Sequence, residues 1–348
     1  MLPWGSELAG RLDRTVIVSN LLRDNPLGDP HERPLWVYLP PGYDDEPERR
    51  YPTVYQIQGY TGQLAMWRNR TPFRQPFPEL VDAAMASGEC PPAIVVYVDA
   101  WTSVGGSQYL DSPATGDYHS YLCDDVVAWV DARYRTRADR AARAIAGKSS
   151  GGYGAMVTAM LRPDVFGGFA THAGDALFEI TMPPLIAHAA RMLRDRYSGS
   201  YDAYFADVRG RVFGTKDSDA QLMELYAYSA AYAAEPDGTV LLPFDDTGRL
   251  IPDVWRRWLA HDPVVMAGQE PYARALRTMR AIWIDAGNRD DYHLDLGAAA
   301  FRRAVSEAGV PDGNVYFELF DATHAAIEYR YPLALAWLVR GLADEAGA

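Results

Sequence analysis

Residues 142–156 contain Gly147-Lys148-Ser149-Ser150-Gly151, set between an apolar, strand-like run and a small-residue, helix-like one. Gly-x-Ser-x-Gly at a strand–turn–helix junction is a nucleophile elbow, a sharp turn that exposes the serine hydroxyl. Side chains two residues before and after the serine would collide there, so both positions want glycine. Gly147 and Gly151 supply this for Ser149, whereas Ser150 would need a small residue at position 148 and has Lys148. Ser149 is therefore the candidate nucleophile. The helix that follows turns its free N–H groups toward the site, which favours developing negative charge and offers the Ser150 N–H as an oxyanion donor. A Gly/Ser-rich turn that opens a helix also suits phosphate, but this spacing is not that of a Walker loop. Lys148, one of two lysines with Lys216, reads as a solvated surface side chain rather than as a group that tunes the serine. A serine hydroxyl is a weak nucleophile, so the same site must hold a histidine base and a carboxylate that orients it.

The elements that would position these groups alternate along the chain. Short β-branched or apolar runs fall at 15–19, 35–39, 53–58, 93–99, 142–146, 169–172, 281–285 and 315–320, giving eight candidate strands. Several are apolar throughout, as expected of strands covered on both faces. Helical spacing appears at 77–87, 118–134, 152–161, 294–308 and 331–343. The pattern predicts an α/β fold with a mainly parallel eight-stranded sheet flanked by helices. Residues 176–280 separate the sixth and seventh strands by far more than a usual crossover. This stretch carries Tyr197, Tyr201, Tyr204, Tyr226, Tyr228 and Tyr232 and a probable turn at Pro236-Asp237-Gly238. It reads as a cap-like, largely helical insertion within one α/β-hydrolase domain spanning 1–348.

In an α/β-hydrolase fold the triad follows the order Ser, acid, His. Of the seven histidines only His324 lies beyond the eighth strand; His31, His119, His172, His188, His261 and His293 read as surface or packing residues. The acid should follow the seventh strand, where Asp290 and Asp291 compete and Asp285 still lies in the strand. Asp290 is preferred, with the other aspartate left as a helix cap or a solvated charge. The second oxyanion donor should come from the loop after the third strand, Gln58-Gly59-Tyr60-Thr61-Gly62, through the Tyr60 N–H. Trp67, Trp101, Tyr109 and Tyr153 follow strand ends or the elbow and are candidates to line a substrate cleft, although aromatic residues also fill cores.

These residues resemble the esterase D / antigen 85 / enterochelin esterase group of α/β-hydrolases, from about Leu35 to Tyr331 and omitting much of the insertion. Pro40-Pro41-Gly42-Tyr43 with Tyr51-Pro52-Thr53-Val54-Tyr55 is similar to its second and third strands. Gly105-Gly106-Ser107-Gln108-Tyr109 followed by Ser112 and Tyr118 is similar to its loop after the fourth strand. The most specific match is 143–156 with Pro163, Asp164 and Phe166 after it. Asp285-Ala286-Gly287-Asn288-Arg289-Asp290 looks like the group's acid loop, in which the catalytic aspartate stands three residues after the glycine, and so supports Asp290. Ser150 departs from a common Met, and Thr323 from the usual Gly or Asp before the histidine. The resemblance implies hydrolysis of carboxylic esters or thioesters, or acyl transfer.

Composition bounds the partners. The 348 residues are 48% hydrophobic, enough for one large core, and carry a formal charge of −13, which repels a phosphate backbone and argues against nucleic acid. No apolar run approaches the roughly 18 residues of a membrane span, and Met1-Leu2-Pro3-Trp4-Gly5 lacks a signal-peptide pattern, so a cytoplasmic location is expected. Cys90 and Cys123 are the two cysteines; a bridge between them is compatible with the sequence, a Cys-rich zinc site is not. The expectation is a serine carboxylesterase that needs no metal or organic cofactor and acts on a small-molecule ester through an acyl-enzyme. An acyltransferase passing the group from Ser149 to an alcohol is the alternative, ahead of a non-enzymatic binding module. The Tyr-rich insertion is a candidate homodimer surface.

Overall fold

The apolar runs form strands buried on both faces. In the computed structural model, which describes residues 4–5, 7–72, 74–212 and 215–343, eight strands make one sheet. They are β1 (Arg11–Val18), β2 (Glu32–Leu39), β3 (Thr53–Ile57), β4 (Ile94–Val98), β5 (Arg143–Lys148), β6 (Gly168–His172), β7 (Ala281–Gly287) and β8 (Val315–Phe320). Their order is β1-β2-β4-β3-β5-β6-β7-β8; the β1–β2 and β2–β4 pairs are antiparallel and all others parallel. Every residue of β3, β4 and β7 is buried. β1 begins four residues before the predicted run because it is an edge strand whose residues are mostly exposed or half-buried, so its start carries no apolar signal. Met1, Leu2 and Pro3, part of the stretch read for a leader, lie outside the described residues. No helix among the described residues is long and apolar enough to cross a membrane.

Alternation along the strands divides the core in two. Tyr55, Ile57, Ile145 and Phe169 pack on one face against α2 (Ser150–Leu161) and α4 (Leu294–Glu307), while Val54, Tyr97, Ala144 and Trp283 pack on the other against α1 (Phe77–Ala86) and α5 (Arg330–Ala343). The helix expected at 118–134 is present but passes through a π-helical turn at Tyr121–Val126. Between β6 and β7 the described residues form seven helices: Phe178–Thr181, Pro183–Tyr197, Tyr201–Gly210, α3 (Asp219–Tyr232), Pro252–Leu259, Pro263–Ala267 and Glu270–Arg277. The expected turn at Pro236-Asp237-Gly238 is closed by the Ala234–Val240 bridge, with Gly238 at φ 87°. Cys90 and Cys123 are both free and buried.

The carboxyl ends of β5 to β8 lie side by side, so the loops after them meet along one sheet edge. A buried ion network ties this edge to α5. His172 Nδ1 lies 2.6 Å from Asp285 Oδ1, and Arg330 Nε donates to Asp285 Oδ2 at 2.8 Å and, through its fork, reaches Glu318. Asp285 is fully buried, so removing its cation strands a charge in low dielectric. Arg330→Met is expected to destabilise the fold by about 3 kcal/mol in urea unfolding; a loss under about 1 kcal/mol would show that His172 alone satisfies Asp285.

Candidate active site

Ser149 sits between β5 and α2 with φ 57° and ψ −128°, a conformation L-residues rarely adopt. Such backbone costs of order 1–3 kcal/mol and persists only where its surroundings impose it. Here they do. A Cβ on Gly147 would stand 2.3 Å from the Gly151 carbonyl oxygen, and one on Gly151 2.6 Å from that of Gln58. The Ser149 N–H donates to His172 O at 2.9 Å, and its carbonyl accepts the Tyr153 N–H at 2.9 Å, so β6 and α2 clamp the residue from both sides. The side chain is half-buried.

The loops after β7 and β8 pack directly on each other. A Cβ on Gly287 would lie 2.5 Å from Ala322 O, and Asn288 and Arg289 N–H groups donate to Phe320 O and Ala322 O at 2.8 and 3.0 Å. This brings Asp290 to His324, with Oδ2 2.7 Å from Nδ1. Asp290 Oδ1 accepts the Tyr292 N–H at 2.8 Å and the Leu294 N–H at 3.4 Å. Burial works to raise the Asp290 pKa, but the hydrogen bond and charge of His324 and these two amides outweigh it and hold the carboxyl below its ordinary range. Asp291 is no mere surface charge, since its Oδ2 accepts the His324 N–H at 3.3 Å. With Nδ1 engaged, His324 Nε2 has no hydrogen-bond partner among the described residues. Ser149 Oγ makes no hydrogen bond to His324 or to any other group among the described residues; such bonds are often long in a ligand-free site.

Two backbone donors stand beside the serine. Neither the Tyr60 nor the Ser150 N–H has an acceptor among the described residues. Gly59 brings its loop against the elbow, since a Cβ there would lie 3.4 Å from Ser149 Cβ. The loop is pinned from behind: the Tyr109 hydroxyl accepts the Gln58 N–H at 2.8 Å and donates to Gln58 O at 2.7 Å. Tyr60 donates its own hydroxyl to Val104 O at 2.9 Å, and its ring covers Gly105 so closely that a Cβ there would touch it at 2.6 Å.

The expected cleft aromatics divide. Trp101 is half-exposed and lines a small hollow with Gly59, Tyr60, Gln108 and Ser150. Tyr109 lines the same hollow but is buried, and its hydroxyl is engaged by two bonds to Gln58. Tyr153 does not reach a cleft: it is fully buried, its ring 6.0 Å from Phe178 and 5.6 Å from Tyr232, because α2 turns that side toward the insertion. Trp67 likewise belongs to the core, 5.4 Å from Phe77. Lys148 is half-buried rather than solvated, and burial pushes its pKa down against the opposing charges of Glu328 and Asp290. A larger hollow of about 730 Å³ between the helices at 263–277 and α4 contains none of the candidate residues.

Three residues escaped the sequence reading. Asp175, just after β6, lies 3.2 Å from Ser150 Oγ; Tyr228 of α3 lies 3.3 Å from both; and Glu224 accepts the Tyr228 hydroxyl at 3.0 Å. Asp175 also feels the charge of His324. The Tyr-rich composition of the insertion was a signal for Tyr228, but no motif marks the two carboxyls.

The model of the family described as Putative esterase matches residues 30–325. An endo-1,4-beta-xylanase/feruloyl esterase of Xylanibacter ruminicola is 28% identical over 134 residues, 38% of this chain and 18% of that protein, so the chain spans under a fifth of that relative. Among solved structures, a ferulic acid esterase aligns with a TM-score of 0.62 at 19% identity, covering 97% of this chain and all of that one. An S-formylglutathione hydrolase from Agrobacterium tumefaciens aligns with a TM-score of 0.57 at 17% identity, covering 97% and 98%. These likenesses show an α/β-hydrolase fold.

Burial pushes the Asp175 carboxyl up to about 7, with the nearby Glu224 adding to the rise. Burial likewise pushes Glu224 up to about 7. The fold thus keeps protons that the unfolded chain has already lost, and stability from this pair falls as pH rises from about 4 to about 7. Asp175→Asn removes that dependence at one site. Its melting temperature relative to the parent is expected to be higher at pH 8 than at pH 4; an equal difference at both would show that Asp175 ionises normally.

Proposed function

The chain belongs to the Putative esterase family, and from that premise we propose that it hydrolyses a carboxylic ester or thioester through an acyl-enzyme on Ser149. The observation that carries the reading is the left-handed backbone of Ser149, enforced by Gly147 and Gly151 at the head of α2. Strain of this kind clusters at active sites, and this turn presents one hydroxyl on the sheet edge that also carries His324 and two amides without acceptors among the described residues.

In the proposed cycle Ser149 Oγ attacks the ester carbonyl carbon while His324 Nε2 takes the hydroxyl proton. The carbonyl oxygen becomes an oxyanion received by the Tyr60 and Ser150 N–H groups. Asp290 fixes the histidine with Nδ1–H toward itself and stabilises the imidazolium. Collapse of the tetrahedral adduct breaks the ester C–O bond, and His324 returns the proton to the leaving alcohol. Water, deprotonated by His324, then attacks the acyl-enzyme carbonyl, and collapse breaks the bond to Ser149 Oγ as His324 returns the proton to it, freeing the acid and the serine. The relatives named as feruloyl and ferulic acid esterases, together with half-exposed Trp101 beside Ser150, support an aromatic acyl group as the first to try.

The test is turnover of methyl ferulate and of p-nitrophenyl esters of increasing acyl length, with added alcohols to reveal transfer. Ser149→Ala and His324→Ala are each expected to lower kcat by roughly 10⁴- to 10⁶-fold. Asp290→Asn is expected to cost about 10⁴-fold, while Asp291→Asn, which keeps an oxygen for the His324 N–H, should cost less than about tenfold. All four should keep the parent's melting transition. The reverse order for the two aspartates would overturn the acid assignment.

A further inference from the structure

We propose that the insertion completes the oxyanion hole, with Tyr228 of α3 as the residue that positions the two donor-bearing residues, Tyr60 and Ser150. The inference rests on the esterase reading above and assigns part of the same site to the insertion. Tyr228 is 3% exposed and touches both residues at once. Its ring meets the Tyr60 ring edge-on at 6.0 Å, and its hydroxyl stands 3.3 Å from Ser150 Oγ. Tyr60 also donates to Val104 O and packs on the bare backbone of Gly105 and Gly106, so the insertion and the loop after β4 both bear on its ring.

Tyr228 is itself rigidly placed. Glu224 and Tyr232 lie one turn before and after it on the same face of α3. Its hydroxyl donates to Glu224 at 3.0 Å, and its ring packs on Tyr232 at 5.9 Å and on Trp258 at 6.3 Å. From the β4 side, Gln108 Nε2 donates to the Tyr232 hydroxyl at 3.1 Å and Ser112 Oγ to Ala230 O at 2.5 Å. α3 is therefore fixed against the loop that also supports Tyr60.

The hydroxyl's surroundings argue against simple packing. Among the described residues the buried hydroxyls of Tyr97, Tyr118 and Tyr121 have no hydrogen-bond partner, whereas Tyr228 has three oxygen neighbours: Ser150, Asp175 and Glu224. Four contacts among these groups outnumber the two hydroxyl protons, and a proton held on Asp175 supplies a third, which leaves one contact without a bond. The elevated pKa of Asp175 agrees with that count. A neutral Asp175 also spares the oxyanion a repelling charge.

The experiment compares the parent, Tyr228→Phe, Ser150→Ala and the double variant for ester turnover and for affinity toward a trifluoromethyl ketone, which forms a tetrahedral oxyanion adduct on a catalytic serine. Phe keeps the ring on Tyr60 and removes only the hydroxyl. Tyr228→Phe is expected to lower kcat about tenfold, less than the roughly 10²–10³ of deleting a donor. KM should change less than about twofold, and ketone affinity should fall in parallel with kcat/KM. The double variant should be no worse than the poorer single one, because both sever one link. An unchanged kcat and ketone affinity for Tyr228→Phe in a chain whose parent turns over would overturn this inference alone, as would a loss confined to KM. A parent without turnover on any ester would overturn the esterase reading and this inference with it. Melting curves accompany each variant; should Tyr228→Phe not fold, Ser150→Ala decides by the same kcat and ketone criteria.

Discussion

The absence of two β-carbons governs the candidate site. With side chains at 147 or 151, the carbonyls of Gly151 and Gln58 would be struck at 2.3 and 2.6 Å, and the turn that holds Ser149 at φ 57° could not close. Because it closes, β5 passes straight into α2, the Ser150 N–H is left without an intrahelical partner, and the β3 loop can approach until Gly59 nearly touches Ser149. The rest of the edge follows from strand order: β6 anchors the serine amide, and β7 and β8 deliver the aspartate and the histidine.

Among the described residues, two imidazole–carboxylate hydrogen bonds of nearly equal length lie on this edge, His172–Asp285 at 2.6 Å and His324–Asp290 at 2.7 Å. Bond geometry alone does not separate a structural pair from a candidate catalytic one; access does. His172 is 1% exposed, lies against Tyr331, and shares its aspartate with Arg330. His324 is 14% exposed, and its aspartate takes its other bonds from backbone amides, which fix position without competing for a proton. The first pair braces strands, and the second leaves a ring nitrogen without a partner among the described residues, in the loop after β8.

Much of this was legible in the sequence because it depends on local pattern. Apolar runs gave the eight strands, and the glycine spacing singled out Ser149 from Ser150. Chain order led to His324 and to the Asp290/Asp291 pair. What was not legible depends on which way a residue faces after folding. Tyr109 lines the hollow beside Trp101 as expected but also props the β3 loop, whereas Tyr153, equally aromatic, fills the core. Asp175 and Tyr228 lie 53 residues apart and meet only because α3 folds back over the sheet edge. Lys148 is the last residue of a buried strand and is half-buried with it, which the turn motif conceals.

The central claim is that Ser149 is the reactive nucleophile of this edge. Labelling with a fluorophosphonate, followed by peptide mass spectrometry on the parent and on Ser149→Ala, tests it most directly. The account predicts one equivalent of label on Ser149, loss of turnover in step with labelling, and no label on the variant. Label on Ser150 or another residue, or an active chain that takes no label, would contradict it.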